Sequence, residues 1–123
     1  MGKIRKISRK GLIKKLDKLV SEIVIARDKA CVVCGSKEKL GCGHVFSRKH
    51  LATRFDVTSD GNCHCQCWPC NFKHTFDTYP YNNWYVKKFC EKKFQQLYDR
   101  WNIVCPMKTW QIQSLFDELK GGE

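Results

Sequence analysis

The sequence contains no long apolar segment. None of its hydrophobic runs approaches the roughly 18–20 residues that cross a bilayer, which argues against a membrane-spanning protein. The N-terminus also lacks the apolar core of a secretory signal, because Lys14 and Lys15 follow Leu12 and Ile13 immediately. Without such a signal we expect a cytoplasmic protein, whose thiols stay reduced.

Acidic residues are missing from the first 15 positions, which hold seven lysines and arginines. The whole chain has 23 Lys and Arg against 12 Asp and Glu, a net charge of +11. A basic arm over residues 1–10 and a mildly basic body fit a polyanion, most simply nucleic acid. A solubilising tail is the alternative. The expected phosphate contacts are Lys3, Arg5, Lys6, Arg9, Lys10, Arg48, Arg54 and Lys73.

Internal repeats are absent too, and 123 residues fit a single domain over 11–123. The predicted class is α+β: a small core over 31–77, flanked by an N-terminal helix and by a C-terminal helical part over 83–119. Apolar spacing predicts helices, and alternation predicts short strands. The expected helices cover 11–29, 67–77, 83–100 and 107–119, with a break at Tyr79-Pro80-Tyr81, and the expected strands cover 38–46 and 62–66.

Cysteine, in contrast, is abundant: nine residues, an odd number that resists complete disulfide pairing. Cys31-x-x-Cys34 and Cys67-x-x-Cys70 have the spacing of two zinc knuckles, whose thiolates can hold one tetrahedral Zn²⁺. A knuckle, a hairpin and a second knuckle at a helix N-terminus make a treble-clef ββα-metal core. A structural zinc would stabilise so small a core. Two disulfides or buried thiols are the alternatives.

The other cysteines and the aromatic residues have simpler interpretations. We expect Cys42, Cys63 and Cys65 to be small core residues, although a second zinc site with His44 is an alternative. Core positions are also expected for the remaining cysteines and for the aromatic residues, with Phe72 and Phe76 packing the helix after the second knuckle onto the hairpin. This group comprises Cys90, Cys105, Trp68, Trp84, Trp101 and Trp110.

Several polar residues inside the zinc loop could meet around one cation. Asn71 and His74 share a face of the helix that follows the second knuckle, and that face can point at the hairpin. His44 lies in the first predicted strand and Asn62 begins the second. Imidazole can deprotonate a water near neutral pH, and an amide oxygen can hold a hard cation. The pattern indicates metal-assisted hydrolysis.

Three segments carry a family resemblance: Gly43-His44-Val45-Phe46, Arg54-Phe55-Asp56, and Asn62-x-His64-x-Gln66-Cys67-x-x-Cys70-Asn71. Together they resemble the phage NinG (Rap) recombination endonucleases and, more broadly, the zinc-bound HNH, or ββα-metal, nucleases. The resemblance implies a metal-dependent DNA endonuclease, phage- or prophage-encoded, that cuts branched intermediates such as Holliday junctions or D-loops. It also implies that His44 is the general base, that Asn62 orients it, that Asn71 is a metal ligand, and that His74 is a second ligand or a phosphate contact.

One position departs from that pattern. Many HNH enzymes carry Asp before the first His as a metal ligand, but Gly43 stands here. His64 is the expected replacement, because Asn62, His64 and Gln66 share one face of an extended strand. Oxygen ligands would suit Mg²⁺ or Mn²⁺, and a two-histidine site would accept Zn²⁺ or Ni²⁺.

Other functions remain compatible with the sequence. The nearest alternative is a nonspecific or nicking phage or restriction nuclease. A non-catalytic treble-clef module that binds nucleic acid comes next, and a zinc-stabilised protein-interaction domain is disfavoured by the charge of +11. A junction enzyme would be expected to act as a homodimer, and the C-terminal helices could supply either a dimer surface or a monomer's own core.

Overall fold

The protein, described here over residues 8–122 of a computed structural model, combines six helices with one two-stranded sheet. This confirms the α+β class. The elements in chain order are α1 (Arg9–Asp28), β1 (Leu40–His44), α2 (Leu51–Arg54), β2 (Cys63–Cys67), α3 (Trp68–His74), α4 (Tyr79–Phe89), α5 (Glu91–Asn102) and α6 (Thr109–Gly121). None of the helices within residues 8–122 is long and apolar enough to cross a membrane.

Helix α1 starts and ends where local chemistry dictates. The Ser8 side chain accepts a hydrogen bond from the Gly11 backbone N–H and caps the N-terminus. Lys29 ends the helix in the left-handed conformation, at a φ of 64°. Its apolar stripe is buried and packs against the hairpin and α6: Leu12, Leu16, Leu19, Val20 and Val24.

Strands β1 and β2 pair in antiparallel register, with Leu40 opposite Cys67 and His44 opposite Cys63. Because side chains alternate along a strand, the partners His44 and Cys63 lie on one face, while His64 and its partner Gly43 lie on the other. Cys42 and Cys63 pack with the apolar residues of α1. The opposite face carries His64 towards Tyr81 and Trp84 of α4.

The pair Arg27–Asp28 joins the end of α1 to the hairpin. The Arg27 guanidinium binds Asp28 and donates to the carbonyls of Val57 and Cys63, while the Asp28 carboxylate accepts the Cys65 backbone N–H. Burial raises the pKa of Asp28, but the bonds from Arg27 and Cys65 outweigh it, so the net pKa is lowered. The ionised pair therefore fixes β2 relative to α1.

The predicted helix over 83–100 is wrong in its extent. Two helices replace it, α4 and α5, which meet at Cys90 with a φ of 93°. Helix α4 begins at Tyr79, so Pro80 occupies the first turn, where its missing N–H costs nothing, instead of breaking the chain. Tyr81 and Tyr85 are buried and hold α4 against the hairpin.

Several expected core residues are exposed. Cys90 lies at the corner between α4 and α5, and Cys105 lies in the irregular segment before α6, so neither packs inside. Four aromatic side chains predicted as core are also exposed, because their helices bury other faces: Trp68, Phe72, Phe76 and Trp110. The prediction is confirmed for Trp84, which packs with Tyr81 and Tyr85, and for the buried Cys63 and Cys65.

Candidate metal centre and nucleic-acid cleft

Four cysteine sulfurs converge where the first knuckle meets the end of β2. The turn after Cys31 is closed by a hydrogen bond from Gly35 N–H to Cys31 O, with Gly35 at a φ of 80°. Cys67 is the last residue of β2, and Cys70 lies in the first turn of α3. The sulfurs of these three cysteines and of Cys34 all lie within 4.8 Å of one another.

The geometry of this cysteine cluster fits a metal. Tetrahedral zinc with Zn–S bonds of about 2.3 Å requires sulfurs about 3.8 Å apart, and the Cys34 and Cys67 sulfurs are 3.6 Å apart. Burial raises the pKa of Cys31, but backbone N–H groups of Cys67, Cys34 and Val33 outweigh it and lower the pKa to about 7. All nine cysteines are free. The cluster could hold a structural metal such as zinc.

A second feature is an open cleft between the hairpin and α3, with a volume of about 650 Å³. The cleft is lined by His44 of β1 and by Asn71 and His74 of α3. The helical spacing predicted that the last two share one face of α3. The Asn71 amide donates to Cys42 O at 3.4 Å, and the His74 Nε2 lies 2.8 Å from Val45 O. The His74 Nδ1 is buried and has no hydrogen-bond partner among the described residues.

His44 lies in a crowded corner of this cleft. Its Nε2 is 2.9 Å from Arg54 O. Its ring nitrogen and the sulfurs of Cys42 and Cys63 lie within 4.8 Å of one another, so these three donors could also hold a metal. Burial lowers the pKa of His44, but the neighbouring Cys42 and the Arg54 carbonyl raise it more. The hydrogen bond from Cys63 lowers the pKa of Cys42 to about 6.

Asn62 and His64 do not line the cleft. The Asn62 amide exchanges two 2.8 Å hydrogen bonds with the backbone of Phe46, so it holds the chain just after β1. His64 is buried on the opposite face, where Nδ1 accepts from Arg27 and Nε2 donates to Gly61 O. Burial lowers the pKa of His64 to about 4. The expected shared strand face is real, but it points away from His44.

The Gln66 side chain packs directly against Gly43. A Cβ at this position would lie 2.0 Å from the Gln66 Oε1 and 2.8 Å from its Cγ. The Gly43 carbonyl also accepts the Tyr81 hydroxyl at 2.7 Å. A larger residue at position 43 therefore requires the Gln66 side chain to move, a packing constraint that the sequence did not reveal.

A basic groove of about 910 Å³ adjoins the cleft. Arg48 lines both, and among the described residues Asp17 is the one acidic side chain along the groove, where it is paired with Arg54. Sequence reasoning proposed most of its cations but missed Lys14. The lining cations are Arg9, Lys10, Lys14, Arg48 and Arg54.

The remaining predicted phosphate contacts lie elsewhere. Lys73 is exposed on α3, with its ammonium 3.9 Å from Asp77. Lys3, Arg5 and Lys6 fall outside the described residues. The structure therefore gathers four of the eight expected contacts, Arg9, Lys10, Arg48 and Arg54, into one groove.

Replacing Cys67 by Ser should abolish folding, because structural zinc contributes on the order of 10 kcal/mol, comparable to the whole stability of a domain. Zinc content by mass spectrometry and thermal melting by circular dichroism test this. Cys105→Ser, an exposed cysteine outside the cluster, should retain both zinc and melting temperature. A Cys67→Ser protein without zinc that melts like the wild type would refute the structural role.

Gly43→Ala should lower the free energy of unfolding by roughly 1–3 kcal/mol, because the new methyl overlaps the Gln66 amide. Gly41→Ala is the matched control, since no atom lies within 4 Å of its Cβ position. Adding Gln66→Ala should recover part of the loss, and urea denaturation of the wild type, Gly43→Ala, Gln66→Ala and the double variant measures that coupling. Equal stabilities for Gly43→Ala and Gly41→Ala would contradict the packing explanation.

Comparisons with known proteins give one match. The family model described as "Bacteriophage Lambda NinG protein" matches residues 2–120. Neither curated proteins nor solved structures yielded a significant match. The matched region contains the cysteine cluster, the cleft and the described part of the basic groove. The chain belongs to the bacteriophage lambda NinG protein family.

Proposed function

We propose that this protein is a metal-dependent DNA endonuclease that hydrolyses phosphodiester bonds in branched recombination intermediates of a phage. One observation carries the proposal: a cleft lined by His44, Asn71 and His74 opens, through Arg48, into a basic groove. A binding module needs the groove, but it does not need two imidazoles and an amide beside it. Membership in the NinG family favours recombination as the setting.

The proposed core is a treble clef of the HNH type. The two knuckles, the β1–β2 hairpin and α3 follow one another in the order that such a core requires. Zinc at the cysteine cluster would tie the start of α3 to the end of β2. Helix α3 then presents Asn71 and His74 to the hairpin.

His44 is proposed as the general base. The Arg54 carbonyl can only accept a hydrogen bond, so the His44 Nε2 at 2.9 Å carries the proton. The lone pair is then on Nδ1, which could take a proton from an attacking water. Asn62 contributes indirectly, by holding Phe46 and with it the end of β1.

His74 and Asn71 are proposed to hold the catalytic cation. The buried Nδ1 of His74 lacks a partner among the described residues, and the Asn71 oxygen is not used in its bond to Cys42 O. A nitrogen and an oxygen donor fit Mg²⁺ or Mn²⁺ with waters completing the shell, and also Zn²⁺ or Ni²⁺. Such an ion supplies positive charge for the scissile phosphate and the leaving oxygen. His64 is a weaker candidate, because both its nitrogens are already bonded.

A non-catalytic module that binds nucleic acid is the second candidate. Cys42 and Cys63 lie within 4.8 Å of the His44 nitrogen, and a metal held by these three donors would occupy the proposed base. Such a protein would keep the groove and lose the hydrolysis. A nonspecific or nicking nuclease differs from our proposal only in substrate.

Cleavage of a synthetic four-way junction and of supercoiled plasmid tests the reaction. The zinc-loaded protein is assayed with added Mg²⁺ or Mn²⁺, without a chelator that would remove zinc. His44→Ala should cut roughly 10²–10⁴-fold more slowly, and His50→Ala, outside the cleft, should cut like the wild type. DNA binding without cutting under every metal would favour the non-catalytic module, and the junction-to-plasmid ratio identifies the substrate.

Binding across a salt series tests the groove. Removing one phosphate contact should reduce the slope of log K against log salt by about 0.9, so Arg48→Ala and Lys14→Ala should each flatten it. Lys87→Ala, on the exposed end of α4, is the matched control and should leave the slope unchanged. Unchanged slopes for both groove variants would remove the groove from the DNA path.

A further inference from the structure

Helix α3 and the turn after it carry an exposed aromatic stripe, formed by Trp68, Phe72 and Phe76. Their side chains are 62%, 54% and 70% exposed. The Trp68 and Phe72 rings stack, with centroids 5.3 Å apart and planes 14° apart, and the Phe72 and Phe76 rings meet edge-on at 5.8 Å. The spacing of four residues aligns them along one side of the helix.

This aromatic stripe is not the helix's packing face. Residues on other positions of α3 contact the hairpin: Asn71 binds Cys42 O, and His74 binds Val45 O. Cys70 joins the cysteine cluster. Three adjacent aromatic rings left in water form an apolar patch of the kind that marks an interaction site.

We propose that the aromatic stripe binds unpaired DNA bases by stacking. The inference rests on the proposed function and specifies it further: the preferred substrates contain unstacked nucleotides, as branched DNA does. Every base has an apolar π-face, so aromatic side chains bind single strands with little regard to sequence. The partially stacked Trp68–Phe72 pair presents a ring face to such a base.

The size of the stripe favours bases over a protein partner. Aromatic side chains bury 150–250 Å² each, so three exposed to this degree offer about 300–450 Å². A stable protein interface needs about 800 Å² from each partner. Two or three bases, in contrast, are what a small aromatic platform binds in other nucleic-acid-binding proteins.

Charge also favours DNA over a second copy. Two chains of +11 repel each other. Lys73 follows Phe72 directly on α3, and the Trp68 backbone N–H donates to the Lys39 backbone carbonyl, so a lysine backbone adjoins each of these two aromatic residues. Cations beside an aromatic platform bind the phosphates that accompany stacked bases.

The position of the stripe suits a strand that enters the cleft. Asn71 and His74 of the cleft belong to the same short helix as Trp68 and Phe72. A helix with its side chains is only about 10–12 Å across. Nucleotides next to the scissile phosphate can therefore reach the stripe once they leave the duplex.

The test measures affinity by fluorescence anisotropy for a labelled 15-nucleotide thymidine strand, the matched duplex and a four-way junction. Protein is zinc-loaded, with no catalytic divalent ion added, so cleavage does not enter. Trp68→Ala and Phe76→Ala should each weaken single-strand binding roughly 5- to 100-fold, leave duplex binding within twofold, and leave the salt slope unchanged. Trp68→Phe should restore most of the affinity, and Trp110→Ala, an exposed tryptophan on α6, should have no effect.

Four outcomes would overturn the inference. Unchanged single-strand affinity in both alanine variants would do so, while a cleavage defect confined to His44→Ala would leave the proposed function standing. Equal losses of affinity for the single strand and the duplex would show that the substitutions disturb the fold or general DNA binding, not base stacking. A sedimentation coefficient that shows a wild-type dimer, dissociated by Trp68→Ala, would assign the stripe to a second copy of the chain. A wild type that binds no DNA would overturn both proposals.

Discussion

Four cysteine sulfurs within 4.8 Å of one another join the three segments on which the rest of the structure depends. The knuckle after α1, the end of β2 and the first turn of α3 meet there. This convergence sets where α3 starts, and its start determines which residues of that seven-residue helix face the hairpin. A metal is well suited to this task, because a core of this size buries little apolar surface.

The hairpin divides the chemistry between its two faces. One face carries His44 with Cys42 and Cys63, next to the cleft, and the other carries His64 into a set of aromatic rings. Arg27 and Asp28 hold β2 from the end of α1, through bonds to the backbone of Cys63 and Cys65 and to the His64 side chain. A slip of β2 by one residue would bring the two histidines onto the same face of the hairpin, so this ionised pair protects the site as well as the fold.

The surface shows the same separation of tasks. Cations at the start of α1 and in the segment after β1 form a groove that leads to the cleft. The aromatic stripe on the outer side of α3 is an exposed apolar surface. Phosphates and bases are different chemical targets, and the proposed substrate would use both surfaces at once.

The sequence by itself determined the features that depend on local spacing. The two Cys-x-x-Cys pairs, the stripe of α1 and the shared face of Asn71 and His74 all follow from fixed distances along a turn or a helix. Strand alternation placed Asn62 and His64 on one face correctly, but only the pairing of His44 with Cys63 decided that this face points away from the cleft.

The tertiary structure also decided which apolar residues are core. Phe72 and Phe76 have the spacing of a buried stripe, yet the hairpin takes the other side of α3, because Cys70 and His74 are held there. Gly43 is required by Gln66, a residue distant in the chain. Which residues are buried, and where a glycine is needed, depend on which elements pack together. The sequence pattern records the spacing of residues within one element, but not the element against which it packs.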